Sequence, residues 1–177
     1  MKIVLDEARL RHGVTEMAEA ISETYGRSPI TIVAIMTGSL VLLADLIRRL
    51  EMPLRVGLIQ ASSYRGGMAS GELEIKDAWM LDIEGRDVLL VDDIFDTGKT
   101  LVDVVSHMKK SKPKSVRTAV LLRKKGTQTV EFEPDFVAFS IPDEFVVGYG
   151  LDYEDQYRNL PYVAALESAD LEAHRTI

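Results

Sequence analysis

Apolar positions follow two rhythms along the chain. From Asp6 to Tyr25, Leu10, Val14, Met17, Ala18 and Ile21 recur at helical spacing, and Gly26 supplies a stop. Elsewhere the apolar residues run on without alternation, as in strands buried on both faces of a sheet. Val88–Val91 reads this way, Ile30–Met36, Leu54–Ala61 and Val116–Leu122 read as further strands, and Phe136–Ser140 adds a shorter one. Leu40–Leu50 and the segment carrying Leu101, Val104, Val105 and Met108 return to helical spacing. Thr37-Gly38-Ser39 is a tight turn, Pro53 closes the second helix, and Pro113-Lys114-Ser115 turns the chain after the third. The stretch Ser62–Glu72 is small and glycine-rich, with Leu73-Glu74-Ile75 following as a strand. Strands alternating with helices predict an α/β fold around a mainly parallel sheet.

Composition narrows the setting. The 177 residues suit one domain, with 46% hydrophobic and 28% charged residues as in a soluble globular chain. No apolar run is long enough to span a membrane, and Met1–Asp6 lacks the apolar region of a signal peptide, so a cytoplasmic location and no membrane partner are the default expectations. Cysteine is absent, which excludes disulfides and thiolate metal sites. A net charge of −7 disfavours broad nucleic-acid binding but leaves room for a phosphorylated ligand held by local donors. His12, His107 and His174 stand apart from any metal-ligand pattern, and no chemistry is assigned to them.

The chemistry concentrates after Val88–Val91. There the chain reads Asp92-Asp93-Ile94-Phe95-Asp96-Thr97-Gly98-Lys99-Thr100 and then enters a helix. Unpaired amides and the positive dipole end of a helix attract an anion, and glycine lets the backbone approach it closely. Thr97 and Thr100 add hydroxyl donors and Lys99 adds charge. Asp92 and Asp93, at the carboxyl end of the strand, can accept from sugar hydroxyls or hold Mg²⁺. A sugar phosphate fits this combination. Gly98-Lys99-Thr100 also looks like the end of a Walker A loop, but that motif needs a glycine where Asp93 stands, so the nucleotide-triphosphatase reading fails. The plainer alternative is an acidic strand end beside a capped helix with no chemistry.

The run Val91–Thr100 resembles the phosphoribosyl-pyrophosphate (PRPP) motif of type I phosphoribosyltransferases. Ile141-Pro142-Asp143-Glu144-Phe145-Val146-Val147-Gly148-Tyr149-Gly150-Leu151-Asp152-Tyr153, followed by Tyr157-Arg158-Asn159-Leu160-Pro161-Tyr162, resembles the hypoxanthine-guanine branch. The likeness extends from about Leu5 to Val163. It implies a twisted, mainly parallel sheet flanked by helices, and a single domain over 1–177. A small hood would come from the N-terminal and 140–177 segments, and a flexible β-hairpin loop from about 62–74.

The resemblance also implies an activity: transfer of 5-phosphoribosyl from PRPP to N9 of hypoxanthine or guanine, giving IMP or GMP and pyrophosphate, in purine salvage with Mg²⁺. In this reading Asp96 is the catalytic acid–base at purine N7, and Asp96, Thr97, Gly98, Lys99 and Thr100 hold the 5′-phosphate. Asp92 and Asp93 bind the ribose hydroxyls, where relatives often have Glu-Asp. Thr37, Gly38 and Arg158 meet pyrophosphate. A cis peptide is implied between Thr37 and Gly38, and many relatives have lysine where Thr37 stands. Lys124 reads the 6-oxo group of the purine; Lys125, next along the strand, would face the other way. Phe145 stacks on the base, the main chain of Val146 and Asp152 meets its exocyclic edge, and Ser63 and Tyr64 belong to a lid. Asp152 and the Asp92–Asp93 pair are the metal candidates, and a homodimer or homotetramer is implied. Two rivals stand beside this: a xanthine-preferring enzyme of the same fold, and a related RNA-binding regulator, against which the absence of a basic stripe argues.

Overall fold

A computed structural model of the protein describes residues 1–63, 73–79, 81–167 and 170. Uninterrupted apolar runs become the inner strands. β1 (Lys2–Leu5) and α1 (Glu7–Tyr25) precede β2 (Ile30–Met36), whose first six residues are all buried. Then follow α2 (Leu40–Ile47), β3 (Leu54–Ser63), β4 (Leu73–Trp79), β5 (Asp87–Phe95) and α3 (Lys99–Lys109). β6 (Ser115–Lys124), β7 (Phe136–Ile141), β8 (Val146–Val147) and β9 (Val163–Ala165) complete the order.

The main sheet has six strands in the order β4-β3-β2-β5-β6-β7. All neighbours are parallel except β3 and β4, which pair antiparallel. Strand alternation divides the core between the two faces. Ile30, Ile32, Ala34, Leu89 and Val91 pack with α1 and α2, whereas Val33, Ile35, Val88 and Leu90 pack with α3. The second sheet is antiparallel and joins distant parts of the chain, in the order β1-β9-β8.

Local chemistry explains the boundaries of α1. The Asp6 carboxylate accepts from the Arg9 amide at 2.8 Å, and Gly26, at φ 58°, donates to the Ser22 carbonyl. Gly13 lies where a Cβ would overlap the Phe139 ring of β7, so its lack of a side chain sets how closely helix and sheet approach. α2 ends at Ile47, earlier than its apolar pattern predicts. Arg49 N–H donates to the Leu46 carbonyl three residues back, which tightens the chain into a turn, while Leu50 stays buried and continues the apolar rhythm. β4 runs on to Trp79, past Lys76 and Asp77, as an edge strand. The short strands β1, β8 and β9 carry too few residues for a periodic signal. β9 carries the buried structure on past Val163, through Ala164 and Ala165. Among the described residues no helix is long and apolar enough to cross a membrane.

At the amino-terminal edge of the sheet, Asp87 accepts from Lys114 Nζ at 2.8 Å and Ser115 Oγ at 2.6 Å. These hydrogen bonds hold its carboxyl below the usual range despite partial burial. A carboxylate with a depressed folded-state pKa contributes stability above its unfolded value, about 3.9, and loses it as pH falls further. Asp87→Asn is therefore expected to be less stable at pH 7, by at most about 1 kcal/mol because Lys114 is solvent-screened. The gap should close below about pH 4 in urea titrations. Gly13→Val is expected to cost about 1–3 kcal/mol through overpacking against Phe139, read as a lowered thermal midpoint.

Candidate active site

Five parallel strands bring their carboxyl ends to one edge, where open α/β sheets bind ligands. A cleft of about 300 Å³ opens there. Its walls are the turn after β2, the loop from β5 to α3, and Asp152 with Arg158 from the segment beyond β8.

β5 delivers the acidic pair. Asp92 is 7% exposed, and its carboxylate accepts from the Asp93 amide at 3.0 Å. The chain then crosses Phe95, buried against Phe132, and enters the loop Asp96-Thr97-Gly98. Gly98 precedes α3 at φ 85°, and a Cβ there would overlap Val130 and the Phe95 ring. Val102 N–H makes the first helical bond, to the Gly98 carbonyl at 3.1 Å. Lys99 N–H meets Thr97 Oγ1 at 3.5 Å, and the amides of Thr100 and Leu101, ahead of Val102, have no acceptor within the helix. Thr100 and Leu101 line the cleft; Lys99 is exposed.

The opposite wall is a stack of backbone. Its cis peptide lies between Met36 and Thr37, not between Thr37 and Gly38 as the resemblance implied. β2 ends at Met36, and the turn begins at that last strand residue instead of one position later. Ser39, fully buried, closes the turn by donating to the Ile35 carbonyl at 2.5 Å. A Cβ at Gly38 would overlap the Asp93 carboxylate, and a Cβ at Gly150 would overlap the Gly38 carbonyl oxygen. Gly148, Tyr149 and Gly150 all have positive φ, which lets this loop fold onto Gly38. Arg158 clamps it, donating from Nη1 to the Gly150 carbonyl at 2.9 Å and pairing through Nη2 with Asp152 at 2.8 Å. Tyr149 Oη donates to Asp45 on α2 at 2.6 Å.

The base-side candidates stand further along the same edge. Lys124, the last residue of β6, is 8% exposed, and its Nζ lies 3.2 Å from Asp96 and 3.1 Å from Asp143. Lys125 is exposed. Phe145 is 54% exposed and meets Tyr153 edge-on, with ring centroids 5.6 Å apart. Val146 is buried in β8. The structure thus gathers Thr37, Gly38, Asp92, Asp93, Asp96, Thr97, Gly98, Thr100, Asp152 and Arg158 around the cleft. Ser63 closes β3; Tyr64 lies outside the described residues.

Sequence reasoning overlooked several neighbours. Asp143 was quoted only as part of a motif, yet it pairs with Lys124. Thr127, Gln128 and Thr129 hydrogen-bond the carbonyls of Asp96 and Thr97, and Asp45 anchors Tyr149. Only the polar character of the loop after β6 hinted at the first group.

Residues 2–154 match the phosphoribosyl transferase domain family. The hypoxanthine-guanine phosphoribosyltransferase of Aquifex aeolicus (strain VF5) is 42% identical over 169 residues, covering 94% of this chain and 95% of that protein. The chain belongs to the hypoxanthine-guanine phosphoribosyltransferase family. The bifunctional protein TilS/HprT of Listeria monocytogenes serotype 4b (strain F2365) is 40% identical over 168 residues, which cover 94% of this chain but 26% of that longer protein. A mutant hypoxanthine phosphoribosyltransferase from Trypanosoma cruzi, solved as a ternary substrates complex, matches with a TM-score of 0.90 at 35% identity over 97% of each chain.

Within this phosphoribosyltransferase cleft the charges are strongly perturbed. Burial pushes the Asp92 carboxyl well up, and the adjacent Asp93 charge adds to the rise. Burial also raises Asp93, against hydrogen bonds from its neighbours that favour ionisation. For Lys124, burial works to neutralise the amine, but hydrogen bonds to Asp143 and Asp96 outweigh it and hold the ammonium form. Tyr149 is raised by burial and by its bond to Asp45.

Gly98→Ala is expected to destabilise the protein by about 1–2 kcal/mol from the left-handed backbone alone, with crowding against Val130 and Phe95 adding to this. Its thermal midpoint, compared with that of Gly126→Ala, checks the steric part: φ there is also positive, at 80°, but nothing lies within 4 Å of the added Cβ.

Proposed function

We propose that the protein transfers the 5-phosphoribosyl group of PRPP to N9 of hypoxanthine or guanine, releasing pyrophosphate. The observation that carries this reading is one continuous edge that offers two kinds of donor and one paired acceptor. Main-chain amides at Thr97–Leu101 suit a phosphate, the Asp92–Asp93 pair suits ribose hydroxyls, and the buried Lys124 ammonium suits a 6-oxo group. Ammonium is a donor only, so it favours a carbonyl and opposes the amino group of adenine.

In this reaction positive charge builds on the ribose C1 and ring oxygen as pyrophosphate departs. The acidic pair lies beneath the sugar and tolerates that charge. Arg158, held by Asp152 and the Gly150 carbonyl, and the turn at Thr37–Gly38 face the pyrophosphate. Asp96 accepts or donates the proton at purine N7, steadied by Lys124 at 3.2 Å. Phe145 presents its exposed ring as a stacking surface, and the main chain of Val146 and Asp152 meets the exocyclic edge. Ser63 and Tyr64 would belong to the segment that excludes water.

Among the described residues no three His, Cys, Asp or Glu side chains converge into a metal cage. That suits Mg²⁺, which binds through one or two carboxylates together with substrate oxygens and water. Asp92, Asp93 and Asp152 are the carboxylates that would hold it, and when bound it would neutralise charge on the leaving pyrophosphate.

A spectrophotometric screen of hypoxanthine, guanine, xanthine, adenine and uracil with PRPP and Mg²⁺ tests the reading. Turnover of the two 6-oxopurines is expected; no nucleotide from any base would end it. Asp96→Asn is expected to lower kcat by about 10²–10⁴-fold with PRPP binding retained. Lys124→Ala should raise the KM for hypoxanthine about tenfold or more, the cost of one charge-assisted hydrogen bond, while leaving the KM for PRPP close to wild type. An unaltered base KM would remove Lys124 from recognition.

A further inference from the structure

Asp96 follows β5 and Lys124 ends β6, and the hydrogen-bonded register between those strands stops just short of both. The last partners of β5 and β6 are Phe95 and Arg123, so the next rung would have joined Asp96 to Lys124. A side chain occupies its place. The chain leaves β6 through Gly126, at φ 80°, and turns Gln128 back toward the strand ends. Gln128 Nε2 donates to the Lys124 carbonyl at 2.5 Å and to the Asp96 carbonyl at 3.2 Å. Both partners only accept, so the amide must present its amino end.

Thr127 Oγ1 adds a donor to the Asp96 carbonyl at 3.1 Å, and the Thr129 amide donates to the Thr97 carbonyl at 3.0 Å. These carbonyls therefore face the 127–129 segment.

We infer that Gln128 is a positioning residue that sets the spacing of Asp96 and Lys124 by bridging their main-chain carbonyls. The inference rests on the roles given to those two residues above. Its chemistry is that of a substituted ladder rung: one primary amide uses both of its protons on two carbonyls from different strands. Asp96 must meet N7 of the purine while Lys124 meets the 6-oxo group on the adjoining ring, so a shift of one against the other misplaces the proton relative to the base. Gln128 itself touches no reacting atom.

The test uses the purified full chain with PRPP, Mg²⁺ and hypoxanthine. Gln128→Met keeps length and loses both donors; Gln128→Asn keeps the amide but is one methylene too short to span both carbonyls. Each is expected to lower kcat/KM for hypoxanthine by about 10- to 100-fold, with a much smaller change in the KM for PRPP. Repeating Gln128→Met in a Lys124→Met background separates positioning from simple structural support. If Gln128 acts through Lys124, the second substitution adds less than about twofold there, because coupled sites do not act independently. Equal factors in both backgrounds, or wild-type kcat/KM in both single variants, would overturn the inference. A wild-type protein that turns over no purine with PRPP would overturn the functional reading first, and the inference with it.

Discussion

The cleft exists because three stretches of main chain come closer together than side chains would allow. Gly38 sits between the Asp93 carboxylate on one side and the Gly150 backbone on the other, and a single Cβ at either glycine would collide. That contact joins the turn after β2, the end of β5 and the loop beyond β8. The positive φ values from Gly148 to Gly150 and the clamp by Arg158 are what bring the third partner in. Tyr149 then ties the same loop to α2 through Asp45, a partner 104 residues away in sequence.

A chain with a net charge of −7 would repel a polyanion if binding depended on overall charge. The geometry offers main-chain dipoles instead, at the start of α3, where the amides of Thr100 and Leu101 have no acceptor within the helix. Four acids line the cleft, and burial raises the pKa of the adjacent pair, Asp92 and Asp93. Lys124 is treated in the opposite way. It is buried, but two carboxylates hold its charge.

Much of this arrangement could be read from residues in order. Continuous apolar runs mark β2 and β5 because both faces of those strands are covered, and α1 carries Asp6 and Gly26 at its ends. The strand–acid–small-residue–helix order marks the anion loop. What escaped depends on distance in sequence. β1 pairs with β9 across the whole chain, Lys2 to Ala165, and strands this short leave no periodic trace. The cis bond falls one position early, between Met36 and Thr37, even though the end of β2 at Met36 was legible in the apolar run. Burial, which the sequence does not print, separates the two lysines: Lys124 turns inward and Lys125 outward. Gln128 left no signature at all, since its partners are carbonyls that every residue possesses.

The parallel sheet also sorts its two edges by task. At one edge lie the acidic pair, the anion loop and Lys124. At the other, Asp87 holds Lys114 and Ser115, and Arg86 donates to the buried Thr31 hydroxyl at 2.6 Å. The length of β5 separates the two sets, so substitutions at Arg86, Asp87 or Lys114 can adapt such a protein to heat or salt while its chemistry stays untouched. Durability and activity thus become traits that natural variation can adjust one at a time.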